Sequence, residues 1–511
     1  MHPFRQPLTP GQVIDNPSAE KLRQMAKGEE HTTEFSSACY ISGARNRSAK
    51  KTYVVEDGVK LGVHQQGISL ERATELVKEV HRYLADKTVI RLDRQMGMNE
   101  NHTYHCRVYI TEPYARIPAM WIHSLFAPKD KDQEPDFISV YVPEWPERVI
   151  FNHPLAGVTY ILGTDYFGEC KKSFLRKAMY RTKQKGGLGL HAGSKVLRIR
   201  DKEDKLKDVG FILFGLSGTG KTTLTIHDHG LTGDERVIIR QDDVVLMDAD
   251  GFCAGTEDGF YIKTDGLDKS QKVLYDAAVS PNAIFENIKV FEGGKIDFFN
   301  QELTSNGRGI VLRSEVAGSD DSIDLPKANK LIFITRRNDI VPPLARLSPV
   351  QGAAYFMLGE SIETSAGDPT KAGQSKREVG TNPFIVGPEE DEGQRLLDIL
   401  RNNPDMQCYL LNTGSVGAKE GEAGVKLSIK VSTTLMKEIA RDSIEWTVDP
   451  DWGYEVPKSV PGLDIQEIMP KGFYSEEEYQ EKVEKLRAER RQWLEQFPGL
   501  SGEIRQAIEK P

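Results

Sequence analysis

Phe211-Ile-Leu-Phe-Gly-Leu-Ser-Gly-Thr-Gly-Lys-Thr-Thr-Leu224 runs from an apolar strand directly into Gly215-Leu216-Ser217-Gly218-Thr219-Gly220-Lys221-Thr222. That is Gly-x-x-x-x-Gly-Lys-Thr in the strand-then-helix setting that a phosphate-binding loop requires. The glycines permit a tight turn whose backbone N–H groups point inward. Lys221 sets a positive charge between terminal phosphates, and the Thr222 hydroxyl can ligate Mg²⁺. From Thr222 and Thr223 onward the chain reads as a helix start, so the helix dipole adds to the anion site.

The remaining sequence bounds what such a site can serve. A chain of 511 residues has room for two to four domains and a sizeable core. With 38% hydrophobic and 28% charged residues and a mean hydropathy of −0.47, its composition is that of an ordinary soluble protein. A net charge of −9 argues against general affinity for nucleic acid or anionic membranes, while leaving room for a local basic pocket. No apolar run reaches spanning length, and the first seven residues lack the apolar core of a signal peptide. Cys39, Cys106, Cys170, Cys253 and Cys408 are scattered and odd in number, which fits a reduced, cytoplasmic protein without a disulfide framework.

Periodicity sets out the elements. Residues 69–84 form an amphipathic helix pattern, and 87–92, 106–110, 236–240 and 331–335 read as strands. Lys183-Gln-Lys-Gly-Gly-Leu-Gly189 marks a domain boundary, giving a first domain over 1–188 and a phosphate-loop domain over 189–511. Residues 363–383, rich in Gly, Ser, Thr and charge, read as a mobile lid. Residues 389–392 read as a solvated acidic run, and His227-Asp-His229 as a polar loop. Ser475 and Glu478 form a capping-box pattern that opens a C-terminal helix ending before Pro498.

Two further clusters bear on chemistry. Arg236-Val-Ile-Ile-Arg-Gln-Asp242-Asp243 places acids at a strand end, where doubly wound sheets hold their ligands. Upstream, the apolar Val158-Thr-Tyr-Ile-Leu162 leads into Gly163-Thr-Asp-Tyr166-Phe-Gly-Glu-Cys-Lys171-Lys172, with His191 a short way on. This cluster resembles the Tyr-Ala-Gly-Glu-Met-Lys-Lys signature of the ATP-dependent phosphoenolpyruvate carboxykinase family. The resemblance extends to Arg47-Ser-Ala-Lys50, Leu190-His191-Ala192, the phosphate loop, Pro342-Pro-Leu-Ala-Arg346-Leu347, Asn412-Thr-Gly414 and Leu427-Ser-Ile-Lys430, the last as a strand.

The resemblance implies an α/β protein of two lobes, an N-terminal α/β domain and a C-terminal phosphate-loop mononucleotide-binding domain with mixed sheets. It implies conversion of oxaloacetate and ATP to phosphoenolpyruvate, CO₂ and ADP, with Mn²⁺ and Mg²⁺, in a monomer or small homo-oligomer. Lys172, His191 and Asp243 would hold Mn²⁺; Arg47 and Arg346 would grip the oxaloacetate carboxylates. Tyr166 would face the substrate carboxylate or departing CO₂, and Lys171 would bridge towards the phosphate. Lys221, Thr222 and Lys263 would bind ATP phosphates, and Lys426, Leu427 and Ser432 would face the nucleoside. The chain departs from the family at Phe167, Ser173 and Gln241, has Lys426 where the family uses Arg, and has Gln271 in place of a Glu. Asp234, in Gly233-Asp-Glu235, competes with Asp243 for the metal-ligand position. A kinase of another small acid or alcohol on the same scaffold, or a catalytically dead nucleotide sensor or assembly protein, is the alternative.

Overall fold

The computed structural model describes residues 3–130, 132–216, 218–362 and 374–509. The chain forms two compact units. The first comprises Met1–Lys185, Ala254–Ala317 and Phe384–Pro388; the second comprises Gly186–Cys253, Gly318–Pro383 and Glu389–Pro511. A single cut near residue 188 does not describe this division. Ile284–Glu286 runs parallel to Ala38–Tyr40, so the chain returns to the first unit after the phosphate loop and takes Lys263 with it.

In the first unit an eight-stranded mixed sheet carries Thr88–Met96, Tyr104–Thr111, Phe137–Val142 and Val158–Leu162 as successive neighbours. The helix Leu70–Leu84 lays Ala73, Leu76, Val77, Val80 and Leu84 into its core, with Ser69 capping the N-terminus. A second sheet of five strands joins Phe260–Lys263, Arg308–Val311, Ile284–Glu286, Ala38–Tyr40 and His31–Thr32. The helix Phe167–Gln184 is buried along most of its length, and Lys177 ties it to the large sheet through Ile138 O at 2.9 Å.

In the second unit Leu206–Gly215, Lys330–Thr335 and Gln407–Asn412 are parallel neighbours at the centre of an eight-stranded sheet. Antiparallel strands flank them, Ala192–Arg200 and Arg236–Gln241 on one side and Leu344–Leu347 on the other. Parallel strands buried on both faces read as continuous apolar runs, which is why the runs before the phosphate loop and at 331–335 were legible; Gln407–Asn412 was not read as a strand. The C-terminal helix Glu476–Leu494 opens with the expected Ser475–Glu478 capping box. Among the described residues no helix is long and apolar enough to cross a membrane.

Two readings change. Residues 427–430 are no strand: the Ser428 side chain accepts from Val431 N at 3.4 Å and caps the helix Ile429–Arg441. The acids at 389–392 are no solvated run, because Glu389, Glu390 and Glu392 are buried in the first turn of Glu389–Asn402, where the helix dipole favours negative charge. Of the segment expected to be a lid, 363–373 lies outside the described residues.

Candidate active site

The phosphate loop forms as its glycines require. Gly218 and Gly220 sit at φ 84° and 94°, in the left-handed region that favours glycine. A Cβ on Gly215 would lie 2.5 Å from Thr219 Oγ1, and that hydroxyl donates to Leu216 O at 2.8 Å to close the turn. The helix Lys221–Ile226 then begins with Lys221, Thr222 and Thr223. Ser217 lies outside the described residues.

A cleft of about 500 Å³ opens beside the loop, a size that suits a nucleotide. Gly218, Thr219 and Thr223 line it together with Lys426, Leu427 and Ser432. The cap at Ser428 explains this meeting, because it turns the chain after Lys426 into a helix whose first turn faces the loop. Arg336, which sequence reasoning passed over, stands at the end of a parallel strand and donates to Gly218 O at 2.8 Å. Its adjacency in space to the loop is set by the strand order alone, so the sequence carried no local signal for it.

Next to the loop the chain pairs two of the expected metal ligands. Leu188–Leu190 runs antiparallel to Val245–Met247 with Leu190 opposite Val245, which delivers His191 and Asp243 side by side. His191 Nε2 is 3.2 Å from Asp243 Oδ1 and 3.5 Å from Lys221 Nζ, while His191 Nδ1 is 2.7 Å from Thr381 O. A carbonyl can only accept, so Nδ1 donates to Thr381 O, and Nε2 is the ring nitrogen turned towards Asp243. Asp234 is elsewhere: its side chain is 51% exposed and is paired with Arg200.

The first unit holds the other cluster. Tyr166 is buried at the start of the helix Phe167–Gln184. Its hydroxyl receives Tyr261 OH at 3.2 Å and Asn306 Nδ2 at 3.1 Å. A Cβ on Gly168 would lie 2.4 Å from the Tyr166 ring, so the glycine of the Tyr-x-Gly pattern is a steric requirement. Lys171 Nζ donates to Glu257 Oε2 at 2.7 Å, a buried ion pair that offsets the desolvation of both. The Phe384 ring is faced by Arg47 Cζ at 4.3 Å and Lys172 Nζ at 4.7 Å. Lys263 lies 3.4 Å from Asp265. Arg308, a second cation missed in the sequence, sits 5.4 Å from the Tyr261 ring and donates to Asn306 Oδ1 at 2.8 Å. Asn306-Gly-Arg308 follows a polar turn and offers no pattern to single it out.

Arg346 does not join the second unit's site. Its Nε donates to Glu455 Oε2 at 2.6 Å and its guanidinium lies 4.6 Å from the Trp446 ring. Asp442, the next charge that acts on it, is held by Lys207 and Lys330 at the first residues of the parallel strands. The phosphate loop follows the last residue of its strand, so Arg346 serves the opposite end of the sheet.

A phosphate loop at the end of a parallel strand, with a His–Asp pair beside its lysine, places this chain among the phosphate-loop nucleotide-binding α/β proteins. A sequence model of the family described as phosphoenolpyruvate carboxykinase matches residues 11–466, and the chain belongs to that family. It is 35% identical over 430 residues to the phosphoenolpyruvate carboxykinase (ATP) of Aeropyrum pernix, which covers 83% of this chain and 84% of that protein. It is also 27% identical over 479 residues to the enzyme of that name from Thermus thermophilus, covering 86% and 85%. The relative from Parvibaculum lavamentivorans is 25% identical over 501 residues, covering 92% and 89%.

Proposed function

We propose that this chain uses the first unit's cation cluster and the second unit's phosphate loop to turn oxaloacetate and ATP into phosphoenolpyruvate, CO₂ and ADP. The observation that carries decarboxylation, as opposed to simple phosphorylation of an acid, is the presence in one unit of Arg47, Tyr166, Lys171 and Lys172. A kinase of another acid has no need of that set.

Arg47 grips a substrate carboxylate through its fork, and Arg308 beside Tyr261 supplies the second guanidinium in place of Arg346. Tyr166, held by Tyr261 and Asn306, faces the reacting carbon chain. Breaking the carbon–carbon bond releases CO₂ and leaves its electron pair on an enolate. The enolate oxygen attacks the γ-phosphorus in line, and ADP departs with the bridging oxygen. In the second unit Lys221 and Thr222 hold the phosphates; in the first unit Lys171 and Lys263 are the cations assigned to the group in transfer. Lys426, Leu427 and Ser432 receive the nucleoside.

The donors fit the cations the family implies. In the second unit His191 and the Asp243 carboxylate would suit Mn²⁺, and Thr222 would suit Mg²⁺ on the nucleotide; in the first unit Lys172 is the residue the family resemblance assigns to Mn²⁺. Bound there, such cations supply charge that polarises the carbonyl and offsets the phosphates. One assay tests the reading: phosphoenolpyruvate formation from oxaloacetate with ATP, GTP or pyrophosphate, with and without Mn²⁺. Phosphoenolpyruvate formed with ATP and stimulated by Mn²⁺ is expected. ATP consumption without loss of CO₂ overturns it.

A further inference from the structure

Arg176 is a buried arginine whose guanidinium makes no ion pair among the described residues. It lies one helical turn beyond Lys172 and is only 7% exposed. Among the described residues it has neither a hydrogen bond nor an ion pair. A charge held with so little water and no bonded partner is costly, and arginines are seldom found in that condition. Its surroundings deepen the cost. The guanidinium sits 5.7 Å from the Phe384 ring, the same ring that Arg47 faces at 4.3 Å and Lys172 at 4.7 Å. Arg47 is likewise short of partners, since its Nε is buried without one. The nearby acid is Glu169, and its Oε1 is already taken by the backbone N–H of Ser48. Burial, and then the like charge of Arg47, push the Arg176 guanidinium down to about 10, with Glu169 opposing them weakly.

Two forked cations crowd one ring, and the acid near them is bonded to the Ser48 backbone through Oε1. A fold without a ligand gains nothing from this arrangement, whereas an incoming carboxylate would relieve it by accepting from both forks. We propose that Arg176 is a further substrate-binding residue, which with Arg47 clamps one carboxylate of the substrate over the Phe384 ring. This rests on the placement of oxaloacetate at Arg47. The buried strain belongs to the unliganded protein, and binding releases it. That is the expected pattern for a site whose stability is given up for function.

The test compares Arg176→Met with Arg47→Met in the full-length enzyme with Mn²⁺ and Mg²⁺. Methionine matches the length of the stem and removes the charge. Arg176→Met is expected to raise the KM for oxaloacetate at least tenfold and leave the KM for ATP within twofold. Without substrate its Tm should be equal to or above that of the wild type, and the Tm gain on adding oxaloacetate should be lost. Arg176→Lys should recover part of the KM. The KM for phosphoenolpyruvate in the reverse direction identifies the carboxylate. A rise assigns Arg176 to the one retained in the product, and no change assigns it to the one lost as CO₂; either supports the clamp. If Arg47→Met raises the KM for oxaloacetate and Arg176→Met does not, the inference about Arg176 fails and the site stands. If neither moves it, the placement of substrate at Arg47 fails as well. A lowered unliganded Tm with equal rises in both KM values would make Arg176 a structural residue and overturn the proposal.

Discussion

His191 Nε2 lies 3.2 Å from Asp243 Oδ1 while the opposite ring nitrogen is held 2.7 Å from Thr381 O. The carbonyl orients the ring through Nδ1, and the antiparallel pairing of Leu188–Leu190 with Val245–Met247 brings the two side chains together. Asp243→Asn should therefore abolish the stimulation of phosphoenolpyruvate formation by Mn²⁺, because an amide oxygen is a poorer ligand and leaves the cation's charge uncompensated. Asp234→Asn is the control. Its carboxylate meets Arg200 at the surface, so its loss should change stability by under about 0.5 kcal/mol and leave the metal response intact. Metal titration of the two variants separates them, and the opposite pattern would move the metal site to Asp234.

Lys221→Ala should lower kcat for phosphoryl transfer by at least about a hundredfold, the usual cost of removing one donor aimed at charge in the transition state. Lys221 is only partly buried and stands at the helix start, so the unliganded Tm should hold. An active, folded Lys221→Ala enzyme would remove the loop from the phosphate site.

Arg308→Lys and Arg346→Lys should part company. Beside Tyr261, a lysine keeps the charge and loses the fork, so the KM for oxaloacetate should rise several-fold in Arg308→Lys. Arg346 bonds Glu455 in a partly exposed pair, worth under about 1 kcal/mol, so Arg346→Lys should leave both KM values within twofold. A rise in the KM for oxaloacetate with Arg346→Lys would return that arginine to the substrate.

These assignments show what a linear reading can reach. Local patterns carried the phosphate loop, the helix 69–84, the buried strands and the capping box at Ser475, because each is set by neighbours within a few residues. Asp243 was reachable because an apolar strand precedes it. Pro342-Pro-Leu-Ala-Arg346-Leu347 carries the family's letters, while the pairing of Arg346 with Glu455 is set by the direction of its strand and is non-local. Arg308, Glu257 and Arg336 were missed for the same reason. Their relevance comes from Ile284–Glu286 pairing with Ala38–Tyr40 and from strand order, neither of which leaves a mark near those residues. Buried acids at 389–392 look in sequence like any solvated run.

Glu286 gives a prediction in pH. It is fully buried on the strand that returns to the first unit, and its Oε1 accepts from the backbone N–H of Phe167 at 2.9 Å, at the start of the helix that carries Lys171 and Lys172. Burial raises its carboxyl to about 7, against the opposing bond from Phe167 and the charge of Arg116. Arg116 stands 3.7 Å away and is itself bonded to Asp165 at 2.7 Å, so it cannot fully compensate. The folded chain thus holds this proton more tightly than the unfolded chain, whose carboxyl titrates near 4.5. The resulting stability is fully present below about pH 4.5 and is lost as pH rises through about 7, on the order of 3 kcal/mol in all. Glu286→Gln keeps an acceptor for Phe167 and cannot ionise. Its Tm should match the wild type near pH 5 and exceed it by several degrees at pH 8, measured by scanning calorimetry across that range. Parallel curves for the two proteins would show that Glu286 does not change its protonation on unfolding.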